Sequence, residues 1–124
     1  MSLNGHRDLV VWQKAMGLVR DVYRVTRNFP SDEMYGLTGQ IRRAAVSVPS
    51  NLAEGHGRNS RREFRQFIGQ ARGSLTELET QLEIARDLGY LGPAPAAELL
   101  FRANEVGRMI NGLRQWSEAA KADS

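Results

Sequence analysis

Apolar positions along this chain recur every three to four residues in four separate stretches, the period of helices that bury one face. In the first stretch Leu9, Val11, Trp12, Ala15, Met16, Val19, Val22 and Tyr23 predict a helix over about 8–27. Phe29-Pro30 closes it, because a residue before proline is pushed out of the α region. The second stretch predicts a helix over 32–54. Its Met34, Leu37, Ile41, Ala44, Val48 and Leu52 step by 3, 4, 3, 4 and 4, a narrow seam of the coiled-coil kind. Ser31 is placed to cap it, and Asp32 and Glu33 complement the helix dipole. Pro49 lies inside this stretch, where a missing amide and a ring clash predict a kink. Gly55 and Gly57 mark its end.

The third stretch opens on Ser60-Arg61-Arg62-Glu63, the capping-box pattern. Phe64, Phe67, Ile68, Ala71, Leu75, Leu78, Leu82 and Ala85 then form one apolar face, and Gly89 is the natural residue after the helix end. A helix over 61–88 would be ~42 Å long at 1.5 Å per residue, a length suited to a bundle. Gly92-Pro93-Ala94-Pro95 makes the last turn, and Leu99, Ala103, Val106, Ile110 and Leu113 predict a helix over 95–119. No segment alternates with period two over a useful length, so no strand is expected. The expected fold is all-α: one domain over 1–124, an antiparallel up-down-up-down four-helix bundle with its second helix kinked at Pro49.

Composition adds limits. A chain of 124 residues can bury a core without disulfides or metals, and it has no cysteine to make either a disulfide or a thiolate site. No apolar run approaches the ~18 residues of a membrane span, and Met1-Ser2-Leu3-Asn4-Gly5-His6-Arg7 lacks the features of a signal peptide. A cytoplasmic location without membrane attachment is expected.

Several of these residues carry a family resemblance. They are Leu9-Val10-Val11-Trp12-Gln13-Lys14-Ala15 in the first helix and Tyr35-Gly36-Leu37 with the run from Gln40 to Gly55 around the second. The third supplies Glu63-Phe64, Phe67, Ala71, Gly73-Ser74 and Glu77-Leu78-Glu79. Together they resemble the bacterial four-helix-bundle family encoded by intervening sequences in 23S ribosomal RNA genes, over about Leu9 to Trp116. The proline-interrupted second helix and the glycine-serine break in the third make the match specific. The resemblance implies a bundle that assembles into a ring, a pentamer. It is similar to the accessory protein of diversity-generating retroelements, which implies nucleic acid and a reverse transcriptase as partners.

Charge sharpens the functional question. The net charge is +3, and 15 arginines stand against 2 lysines. Such a ratio has two sources: codon bias in a GC-rich genome, or a use for bidentate phosphate contacts. In the third helix, with Phe64, Ala71, Leu78 and Ala85 at heptad position a, Arg58, Arg65 and Arg72 fall at b and Arg62 at f, all outward. Residues 58–76 carry five arginines and one glutamate, a net of +4; residues 77–88 carry four acids and one arginine, a net of −3. Cations near a helix N-terminus oppose the macrodipole, so the order calls for another reason. The expectation is that Arg58, Arg61, Arg62, Arg65 and Arg72, with Arg42 and Arg43 nearby, contact RNA or DNA phosphates. The competing reading is a solvated face.

Three further groups are candidates. Gly69, Gly73, Thr76 and Thr80 form a small-residue stripe, suited either to close packing within the protomer or to a contact between subunits. Trp116 is the aromatic placed best for such a contact. Asn51 with Glu54, and Ser74 with Glu77, lie three residues apart on their helices and are expected to form a structural hydrogen-bonded layer between the second helix and the third.

The only histidines are His6 and His56, so the Glu-x-x-His pairs of di-iron bundles are absent, and no HExxH, P-loop, GxSxG or dinucleotide fingerprint occurs. No catalytic residue, metal ligand or cofactor is therefore expected. The leading expectation is a non-enzymatic, ring-forming bundle that binds nucleic acid through an arginine-rich face, with a nucleic-acid-processing protein as candidate partner. The alternative is a structural or protein-interaction module that binds no nucleic acid. An enzyme or metal-binding bundle is the remoter third.

Overall fold

The computed structural model describes residues 5–122, with side chains through 117. It contains four α-helices: α1 (Val10–Thr26), α2 (Leu37–His56), α3 (Arg61–Asp87) and α4 (Pro93–Ala122). Among the described residues the other helical elements are two single 3-10 turns, Gly5–Asp8 and Ser31–Glu33, and no strand is present. α2 packs on α1 and α3, and α4 packs on α1 and α3; neither α1 with α3 nor α2 with α4 comes within 8 Å between Cα atoms. The helices therefore stand at the corners of a square around one core.

That core is the apolar seam of each helix. Val11, Ala15, Leu18 and Val22 supply it from α1, and Ile41, Ala44, Val48 and Leu52 from α2. Ile68, Ala71, Leu75, Leu78, Leu82 and Ala85 come from α3, and Leu99, Ala103, Val106 and Ile110 from α4. Cross-helix contacts pair Ser47 with Ser74 and Gly55 with Phe67 between α2 and α3. Between α3 and α4, Arg72 meets Asn111, Leu75 faces Gly107 and Phe64 meets Trp116.

The helix ends show which local signals dominate. Ser60 Oγ accepts the Glu63 amide at 3.1 Å, half of the expected capping box. At the far end of α3, Gly89 takes φ +81°, which L side chains disfavour. There the Tyr90 amide reaches the Ala85 carbonyl at 2.9 Å and the Gly89 amide reaches the Arg86 carbonyl at 3.0 Å. Those two bonds make a Schellman turn. α2 starts later than expected. Ser31, Asp32 and Glu33 form their own 3-10 turn, Ser31 caps nothing with its side chain, and Met34 is exposed rather than part of the seam. Glu33 takes the capping role instead: its Oε1 accepts the Leu37 amide at 3.3 Å. Gly36 allows this, because a Cβ there would sit 2.7 Å from that same oxygen. Glu33 Oε2 also accepts the Tyr90 hydroxyl at 3.1 Å, tying the start of α2 to the turn after α3.

Pro49 is buried inside α2 and deprives the Ala45 carbonyl of its amide donor. The next two carbonyls gain side-chain donors: Ser50 Oγ to Val46 and Asn51 Nδ2 to Ser47, both at 2.8 Å. Elsewhere α1 ends at Thr26 rather than Arg27, α2 runs to His56 with Gly55 buried inside it, and α4 begins at Pro93. Phe64 and Phe67 are only half-buried, and Tyr23 is exposed. No described helix is long and apolar enough to cross a membrane.

Candidate nucleic-acid interface

The seven candidate arginines do not form one surface. Arg42 is half-buried between α1 and α2. Its Nε donates to Thr26 Oγ1 at 2.9 Å, and its guanidinium lies 4.7 Å from the centre of the Tyr23 ring. Thr26 is itself buried and donates to the Val22 carbonyl at 2.8 Å, so Arg42 completes a closed local network. Arg43 is exposed, one residue on. From Arg42 to His56 the helix rises by ~21 Å, which sets Arg42 and Arg43 far from the arginines at the start of α3 rather than near them. Arg72 turns toward α4, half-buried, and donates to Asn111 Oδ1; it is not the outward residue expected at its heptad position.

Arg58, Arg61, Arg62 and Arg65 remain together. They occupy the loop after α2 and the first turns of α3; the first three are exposed and Arg65 is half-buried. Within residues 58–65 the only acid is Glu63, giving four positive charges against one negative. Arg58 pairs with Glu54 at 2.9 Å and lies 4.7 Å from the centre of the Phe67 ring. Both partners of that ion pair are substantially solvated, so it constrains Arg58 weakly and can yield to a phosphate.

The polar group comes together in part. Ser47 Oγ and Ser74 Oγ are 2.8 Å apart, and Asn51 Nδ2 donates to Ser47 Oγ at 2.9 Å. Asn51 thus reaches Ser74 through Ser47, which joins α2 to α3 just before the proline. Glu54 and Glu77 are exposed and engage residues of their own surroundings: Glu54 binds Arg58, and Glu77 accepts from Gln81 at 3.2 Å. Farther down α3, Glu79 has its carboxyl pKa raised, first by burial and then by the Glu83 charge, against the lowering pull of Arg72.

The glycine stripe faces outward. A Cβ at Gly69 or Gly73 would meet nothing within 4 Å, so packing within the protomer does not explain either glycine. The neighbouring hydroxyls are already satisfied along the helix: Thr76 donates to the Arg72 carbonyl at 3.2 Å and Thr80 to the Thr76 carbonyl at 3.0 Å. The stripe therefore presents methyl groups and bare backbone.

Beside the four arginines lies a feature that helix periodicity did not reveal. A cavity of about 560 Å³ opens where the start of α1, the end of α2, the start of α3 and the later part of α4 meet. Leu9, Phe64, Leu113 and Trp116 supply its apolar wall, and His56, Arg58 and Arg61 stand among its lining residues. Phe64 and Trp116 meet edge to face, with ring centres 6.0 Å apart, and Trp116 keeps 59% of its surface exposed. Its residues are scattered from position 9 to 116, so only the fold assembles them. Among the described residues, no group of three or more His, Asp or Glu side chains is placed to hold a metal ion.

Residues 7–112 match the family described as 23S rRNA-intervening sequence protein. Among solved structures, the chain is similar to a protein of unknown function from the S23 ribosomal protein family of Bacteroides thetaiotaomicron. The TM-score is 0.77 at 19% identity, over 85% of this chain and 98% of that one. At that identity the likeness concerns the fold. No curated protein matches the chain.

Proposed function

The chain belongs to the 23S rRNA-intervening sequence protein family, and from that premise we propose that it is a cytoplasmic, non-enzymatic, ring-forming bundle that binds nucleic acid through the arginines at the start of α3. The observation that carries the reading is the grouping of Arg58, Arg61, Arg62 and Arg65 at one end of the molecule, four positive charges against Glu63 within their span and Glu54 paired with Arg58. Charges of one sign held together attract a polyanion and release its counterions on contact. Arg42 and Arg72 are left out of this interface, because each is engaged by a neighbouring helix.

The scaffold in this reading is an antiparallel up-down-up-down bundle with α2 kinked at Pro49. The reversed order of the Ser47–Ser74 and Gly55–Phe67 contacts supports the first point, and the lost amide at a buried proline supports the second. The ring, five copies by family resemblance, forms through the outward stripe at Gly69 and Gly73, where backbone can approach backbone closely. Cyclic symmetry then places every copy's basic end on the same side, turning modest patches into a continuous one. A nucleic-acid-processing enzyme such as a reverse transcriptase is the partner such a ring would serve.

A mobility-shift titration with RNA and DNA at low salt tests the reading. Shifts that disappear when Arg58, Arg61, Arg62 and Arg65 are replaced by glutamine are expected. No shift with either nucleic acid, or an unchanged shift for the variant, would leave the protein-interaction module as the better account.

A further inference from the structure

We propose that the cavity walled by Phe64 and Trp116 seats an unpaired nucleobase, so that the basic end of the bundle selects single-stranded over duplex nucleic acid. The proposal rests on the nucleic-acid reading above and adds the form of ligand and the residues that recognise it.

The cavity has the size of a ligand cleft, about 560 Å³ against the ~300–1,000 Å³ usual for such sites. Its chemistry suits a base joined to a phosphate. Phe64 and Trp116 offer aromatic surface, and the edge-to-face arrangement leaves the indole largely uncovered. Leu9 and Leu113 keep the wall apolar. Arg58, Arg61 and His56 line the same cavity, and among the described residues no acidic side chain does. Aromatic faces beside cations are the arrangement by which single strands are held, since every base has a π-face and every linkage a negative charge. A purely aliphatic occupant would match the apolar wall and not the positive charge beside it. Bases within a duplex are stacked and paired, so they cannot enter without the cost of being extruded. Selectivity for single strands follows from that cost.

The position of the cavity supports the same conclusion. Arg62 and Arg65 follow its lining residues Arg61 and Phe64 in the first turns of α3, which adds positive charge near a strand whose base enters beside Trp116. Arg58 takes part in both functions, lining the cavity while its guanidinium lies over Phe67.

The test uses the full chain with Trp12→Phe, which leaves Trp116 as the only tryptophan of the two present. Tryptophan emission and binding are followed during titration with oligouridylate, with a blunt RNA duplex of equal length, and with an acidic peptide. The expected result is quenching by the single strand and little change with duplex. Trp116→Ala should weaken single-strand binding roughly 5- to 150-fold, the equivalent of the ~1–3 kcal/mol of one stacked base, and leave duplex binding unchanged. Trp116→Tyr should restore most of the loss, and an unchanged melting temperature would exclude misfolding as its cause. Equal affinity for both nucleic acids with unmoved emission would overturn the base-seating proposal and leave nucleic-acid binding intact. Binding to neither at low salt would overturn both. Quenching by the peptide alone would make the cavity a protein-docking site, and a Trp116 shielded from acrylamide in the free protein would show a second copy covering it; each result contradicts the proposal.

Discussion

Gly69 and Gly73 offer a perturbation whose sign differs between an isolated protomer and an assembled ring. Both lie inside α3, neither has a positive φ, and an added Cβ at either meets nothing within 4 Å. Glycine in a helix interior is ~1 kcal/mol less favourable than alanine, largely through the freedom of the unfolded chain. Gly69→Ala with Gly73→Ala should therefore stabilise the protomer by ~2 kcal/mol, since no contact opposes the new methyl groups. For 124 residues the unfolding entropy is roughly 0.26 kcal/mol per degree, so the melting temperature should rise by about 8 °C. Urea unfolding at concentrations too low for assembly measures this directly. Gly73→Leu is the companion: on a ring seam it should lower the mass seen by light scattering while the helix content holds. Refutation has two forms. A destabilised protomer would mean that the space around these glycines is filled in solution, and a Leu variant of unchanged mass would remove the stripe from the seam.

Other perturbations test the fold and its electrostatics. Leu78 is fully buried, and Leu78→Ala should cost ~2–5 kcal/mol in urea unfolding through lost burial and a residual cavity. Ser60→Ala removes the acceptor of the Glu63 amide and should cost ~1 kcal/mol by the same assay, whereas Ser31→Ala should cost little because Ser31 makes no cap. Glu79 has a raised pKa, so the folded state retains its proton to higher pH than the unfolded state does. Its contribution is most favourable below the ordinary carboxyl value and is lost as pH rises through the folded value. Glu79→Gln should accordingly raise the melting temperature at neutral pH and lose that advantage in acid, as calorimetry across pH would show.

Local signals in this chain were readable where one element carries the whole mechanism. Ser60 with Glu63, and Gly89 at the end of α3, act through bonds among neighbours a few residues away. The apolar seams were readable because burial follows the helical period. The start of α2 was not, since its cap is a carboxylate four residues upstream, reaching Leu37 only because Gly36 leaves room. Arg72 read as outward, and Arg42 as a phosphate contact, because Asn111 and Thr26, which engage them, lie on other helices. Distance along the axis separated Arg42 and Arg43 from the α3 cluster, something a count of positive residues does not register. The cavity was hidden most completely: Leu9, Phe64 and Leu113 each fit an ordinary helical pattern, Trp116 read as a subunit contact, and only the meeting of four helix segments makes them one site.

The central claim is that four arginines at the start of α3 meet phosphates. The salt dependence of RNA affinity, compared between the wild type and a variant with Arg58, Arg61, Arg62 and Arg65 all changed to glutamine, tests it most directly. Each lost phosphate contact should flatten the slope of log K against log salt by about 0.7 on a single strand, so the variant's slope should be shallower by about 3 per engaged protomer. Parallel slopes for the two proteins would contradict the account, whatever their absolute affinities.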